Sequence, residues 1–180
     1  MRKALQLMNN LDDVDIEWMV DHGMRQLVRV GTVLIHEGEE IDSLYVVLDG
    51  RFSVCTAAMN GKEIAPLFSG EIVGEISFVH SGVPSASVIA LQDSHVLSIP
   101  RRVLTEKLAG DTAFAARFYR ALAAFLADRL RVTSSRFGYG SKQQDADQLD
   151  DSELGEISLA AVRFNDLLKR VIALPAAAAD

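Results

Sequence analysis

Between Val73 and Val88 the chain reads VGEISFVHSGVPSASV, and the residue types there suit the capture of a small anion. Gly74 permits close backbone approach, and Glu75, Ile76 and Ser77 open a short helix whose free amides would face negative charge. Ser85, Ala86 and Ser87 then supply two hydroxyls on a small-residue stretch. Such a loop calls for a cation at its far end, yet Pro84 stands there, with neither charge nor backbone N–H. Simpler readings stand beside this one. The serines fit ordinary turn and strand positions, and Glu75 fits a first-turn carboxylate that complements the helix dipole.

Other chemistry finds less support. His22, His36, His80 and His95 are scattered and lack the paired spacing of a cupin-type metal enzyme. Cys55 is the sole cysteine, which excludes a disulfide framework and a thiolate metal cage. There is no nucleophile elbow and no Gly-rich phosphate loop of the Walker type, so no catalytic residue, metal or cofactor is expected. A binding module is the stronger class. The formal net charge of -7 and a pI near 5.1 argue against a broad phosphate-binding face, and hence against nucleic acid. No run of eighteen apolar residues and no signal-peptide core appears, so the expected location is cytoplasmic, with no membrane contact.

The elements that would position the loop can be read from periodicity. Asp12 and Asp13 precede a short amphipathic helix with Val14, Trp18 and Met19 at helical spacing, stopped by Gly23. From Gln26 to Pro100 come short β-rich runs, LVRV, TVLIH, LYVVL, RFSVCTA, KEIAPLF, SASVIAL and HVLSIP, divided by glycine turns. Regular short strands of this kind read as a sandwich or small barrel. RRVLTEKLAG is a short helix. Asp111 then caps a long one reaching Phe137, with Phe114, Phe118, Leu122, Phe125 and Leu126 on one apolar stripe. A rod of about 37 Å outruns a small barrel, so its far half calls for a partner. Residues 138–151 read as a polar linker, and 152–174 as a last amphipathic helix that must dock on something.

These pieces together resemble the cyclic nucleotide-binding domain of the catabolite activator and protein kinase A regulatory families. The resemblance is carried by GTVLIHEGEEIDSLYVVLDGRFSV, VGEISF, PSASV and the long helix, over about Leu11 to Phe137. It implies an α+β, mainly β fold: a double-stranded β-helix jelly roll with flanking helices, a long C-helix and an additional C-terminal helix. It implies that Gly74 to Ser77 and Pro84 to Ser87 form a phosphate-binding cassette in which the glutamate accepts from a ribose hydroxyl. In that alignment Pro84 takes the place of the arginine that pairs with the phosphate. Thr133 and Ser134 match a Thr-Ser pair that reaches the base in the catabolite activator, and also fit plain helix-end hydroxyls.

The expected organisation is then a domain over 1–137, including a dimerisation helix over 111–137, followed by the linker and the last helix. The expected function is regulatory: a cyclic nucleotide or other small anion is bound weakly because Pro84 replaces the arginine. Phe114, Phe118, Leu122, Phe125 and Leu126 are the expected homodimer interface, with an unknown protein partner downstream. The alternative is a ligand-independent dimeric scaffold. A DNA-binding regulator is disfavoured, since the 40 or so residues after the long helix hold one periodic helix rather than a multi-helix reader.

Overall fold

Strands whose side chains are apolar on both faces need cover on both sides, and the fold of this chain follows from which strands have that character. The computed structural model describes residues 10–80, 82–136 and 162–171. In chain order the elements are α1 (Asp13–His22), β1 (Met24–Val28), β2 (Val33–Ile35), β3 (Ser43–Asp49), β4 (Arg51–Cys55), a 3-10 turn (Ala57–Met59) and β5 (Glu63–Phe68). There follow β6 (Ile72–Val73), α2 (Glu75–His80), β7 (Ser87–Ala90), β8 (Ser94–Pro100), α3 (Arg101–Gly110), α4 (Thr112–Arg136) and a helix α5 over 162–171. The linker expected over 138–151 and the start of the last helix lie outside the described residues.

The strands form two antiparallel four-stranded sheets, ordered β1-β8-β3-β6 and β2-β7-β4-β5, packed as a jelly roll. On β3, Tyr45 and Val47 point into the sandwich, where they meet Val28, Phe52, Val73, Val88 and Val96. Leu44, Val46 and Leu48 of the same strand point outward, into a second core made with the helices. This double burial explains the unbroken apolar run of β3. By contrast β7 alternates in burial, and β5 is an edge strand that tolerates Pro66. The β4 turn requires its glycine: at Gly50, with φ +116, an added Cβ would fall 2.0 Å from Ser94 Oγ.

The second core is where the helices are tied to the sandwich. Phe114, Phe118, Ala121, Leu122 and Phe125 of α4 pack with Ile16, Met19 and Val20 of α1, Leu104 of α3 and the outer face of the first sheet. The structure therefore corrects the expected role of Phe114, Phe118, Leu122 and Phe125. Each is at most 1% exposed within the single chain, so they are core residues and have no surface to offer a second copy. Leu126 is half-buried against the same core. Val14 is likewise exposed, because the inward stripe of α1 is Ile16, Met19 and Val20.

The last helix docks on its own chain. Leu167 and Val171 are fully buried in the helical core, and Arg163 reaches both the Leu11 carbonyl (3.2 Å) and Asp13 (2.9 Å). Arg170 adds a longer contact to Glu17 on α1. No helix among the described residues is long and apolar enough to cross a membrane.

Candidate functional site

The glycine before α2 decides how closely the cassette approaches the sandwich. Gly74 has φ +90, and a Cβ there would meet Ile41 Cδ1 at 2.7 Å. That lets the chain turn sharply out of β6 and bring α2 against the mouth of the sandwich. A cleft of about 420 Å³, including its open mouth, lies there. Its walls are apolar: Ile35, Val54, Leu67, Val73 and Val88 come from both sheets, with Ile76 at the rim. Gly74, Glu75, Ser77, Pro84, Ser85 and Ala86 also line it, so the structure gathers most of the cassette around one space.

Pro84 is buried in the cleft wall, and its carbonyl accepts from the Gly38 amide at 2.9 Å. The backbone at Pro84 is thus held from the opposite loop. Ser87 does not line the cleft; its hydroxyl accepts from the Glu37 amide (3.0 Å), an ordinary strand-start role. Ser85 is exposed at the rim. Thr133 and Ser134 also stay outside the lining, and the Thr133 hydroxyl donates back to the Arg129 carbonyl of its own helix at 2.8 Å.

The basic residue of the lining is not among those that the local pattern of the sequence singles out. Arg129 of α4 projects into the cleft, where its Nη1 donates to Glu75 in a very close ion pair. Its Nη2 lies 3.5 Å from Glu71 and 3.3 Å from the Ile72 carbonyl, and its guanidinium stacks over Phe125 at 4.7 Å. Arg129 is the only Lys or Arg in the lining among the described residues. A signal for it was present. On α4 it follows Phe125 by four residues, which places a cation on the buried stripe of an amphipathic helix.

Glu75 is only 2% exposed. Burial is the dominant influence on its carboxyl and pushes it above the ordinary glutamate range, with the Arg129 charge opposing. Ser77 is 3% exposed, and no side-chain hydrogen bond engages its hydroxyl among the described residues; its carbonyl accepts from Arg101 at 3.1 Å. The arrangement can accept hydrogen bonds from a guest and enclose an apolar body. It holds no grouping of His, Cys, Asp or Glu, among the described residues, suited to a metal ion.

A family model described as the cyclic nucleotide-binding domain matches residues 25–111. An uncharacterised NTE family protein of Mycobacterium tuberculosis is 30% identical over 124 residues, covering 69% of this chain and 21% of that protein. The cyclic AMP receptor protein of Thermus thermophilus is 28% identical over 101 residues, covering 55% of this chain and 47% of its own. The chain therefore spans about a fifth to a half of the length of these relatives. Among solved structures, a cyclic nucleotide-binding domain from Methylobacillus flagellatus superposes with a TM-score of 0.69 at 20% identity, covering 79% of this chain and 85% of that one. Two packed sheets, a cassette helix and a long following helix define the jelly roll of cyclic nucleotide-binding domains. Within the chain, residues 25–111 match the cyclic nucleotide-binding domain, and the surrounding architecture has the fold of that domain.

Proposed function

We propose that this protein is a non-enzymatic, cytoplasmic regulatory module whose cleft takes a small molecule and reports its presence through α4. Cyclic nucleotides and similar anions bind weakly in this reading. The observation that carries it is the charge arrangement of the cleft: the uncharged Pro84, which aligns with the family's arginine, lines it, and the only guanidinium in the lining among the described residues is engaged by Glu75. A charge-assisted contact of the missing kind contributes about 1.5–3 kcal/mol, or roughly ten- to a hundredfold in affinity. A guest that competes for Glu75 would loosen Arg129, and Arg129 belongs to α4. The cleft and the long helix are coupled through that one side chain.

The test is Pro84→Arg, assayed by calorimetry with cAMP and cGMP against the unmodified chain. Affinity for at least one of them should rise at least tenfold. No gain for either would remove the basis for reading the cleft as a cyclic-nucleotide pocket that has lost its cation.

A dimeric scaffold stays as the second reading, moved to a different face. Ala116, Tyr119, Ala123 and Leu130 recur along α4 away from the core, with the half-buried Leu126 at their border, and Tyr119 and Leu130 are 48% and 68% exposed. Sedimentation of a Tyr119→Glu, Leu130→Glu double variant tests it. A dimer that survives both charges does not use this seam.

A further inference from the structure

A cleft that binds anions weakly, as proposed, must be built to hold something else. Charge, wall and unspent hydrogen-bonding capacity together indicate what. Two carboxylates, Glu71 and Glu75, each at least 96% buried, converge on the single guanidinium of Arg129. A guest anion would leave water to sit beside the buried carboxylate of Glu75, and to win Arg129 it would strip Glu75 of its partner. An uncharged guest carries neither cost. The walls are aliphatic from both sheets, so they favour an apolar body.

Two polar groups remain available to such a guest. Arg129 and its own backbone amide are the partners of the Glu75 carboxylate among the described residues, which leaves acceptor capacity on its two oxygens. The Ser77 hydroxyl is buried, lines the cleft and has no hydrogen-bond partner among the described residues. Buried hydroxyls without partners are uncommon, and one facing a cavity beside a carboxylate is satisfied by whatever fills the cavity.

We propose that the cleft is selective for uncharged molecules with an apolar body and a hydroxyl or N–H that donates to Glu75 while bonding the Ser77 hydroxyl. This rests on the reading of the cleft as a small-molecule site. The experiment is calorimetry and thermal shift on the full chain with matched pairs that differ by one charged group: adenosine against cAMP, and guanosine against cGMP. At least one nucleoside should bind at least about tenfold more tightly than its cyclic phosphate. Ser77→Ala should weaken that nucleoside about five- to tenfold, with the melting temperature of the free protein unchanged or raised. The proposal is overturned if the cyclic phosphate binds as tightly as its nucleoside, if neither nucleoside binds at millimolar concentration, or if Ser77→Ala leaves nucleoside affinity intact. Pro84→Arg separates the two levels. If that variant gains cyclic-nucleotide affinity while the natural chain binds no nucleoside, only the selectivity proposal falls. If it gains nothing, the reading beneath it falls as well.

Discussion

Arg117 and Arg129 stand on the same helix, and each reaches a carboxylate that is almost completely buried. The Asp15 side chain receives Arg117 through two short bonds, Nε at 2.6 Å and Nη2 at 2.7 Å, and it also accepts from the Asp12 amide at 2.8 Å as part of the α1 capping box. Burial opposes its charge, but the Arg117 hydrogen bonds and the Asp12 amide outweigh it and hold the carboxyl below the ordinary aspartate range. Glu75 receives Arg129 through one nitrogen, shares it with Glu71 and Ile72, and is left with its carboxyl above the ordinary range. The first pair is saturated and fixes α4 to α1. The second is short of donors and faces a cleft, so it can exchange partners. Two ion pairs of the same chemistry thus divide into a structural one and a responsive one by how fully the carboxylate is satisfied.

The comparison can be broken most severely at Phe118, which lies between the two arginines on α4 and stacks on Phe114 and edge-on to Phe78 of α2. Phe118→Ala should cost about 3–5 kcal/mol in urea unfolding, because a fully buried ring leaves a cavity joining both regions. Next comes Arg129→Ala, at about 1–3 kcal/mol by the same measurement, since Glu75 can answer the loss of its partner by taking a proton. A cost as large as that of Phe118→Ala would mean that the second pair is as structural as the first.

Acid titration of stability sharpens the contrast further. The lowered Asp15 carboxyl contributes stability that is present above its unfolded-state pKa and is lost as pH falls through its folded one. Glu75 behaves oppositely: its raised carboxyl binds a proton more readily in the folded chain, so its contribution declines as pH rises from the unfolded-state value through the folded one. Unfolding free energies measured across that range should show the acid loss flattened in Asp15→Asn and the decline removed in Glu75→Gln. Identical slopes for the two variants would erase the distinction. The smallest effects belong to Thr133→Ala and Ser134→Ala. Each should change stability by less than about 0.5 kcal/mol and leave ligand affinity unchanged, as suits hydroxyls outside the cleft.

Much of this architecture was legible in the residues. Strand runs rich in Val, Ile and Phe, with glycine turns between them, announced the sandwich, and Asp111 marked the start of α4, where its carboxylate caps the Phe114 amide at 2.9 Å. Two features escaped for physical reasons. The strand β6 is only Ile72–Val73, too short to show an alternation of its own. Arg129 is 54 residues from Glu75 along the chain, and local spacing cannot express a contact that tertiary packing alone creates. The stripe of phenylalanines was read correctly as apolar but given to a second molecule. A helix stripe says that a face is covered; it does not say by what, and here α1, α3 and the first sheet cover it.

The spacing of the two pins gives α4 a mechanical character. Twelve residues of helix separate Arg117 from Arg129, a rod of about 18 Å, and the helix continues about 10 Å further to Arg136. On the proposed coupling, with the Asp15 end fixed, a guest that drew Arg129 aside would work the rod as a lever whose fulcrum lies near α1 and whose handle rests in the cleft. A displacement of about 1 Å at Arg129 corresponds to a turn of about 3°, carried undiminished to whatever follows the helix.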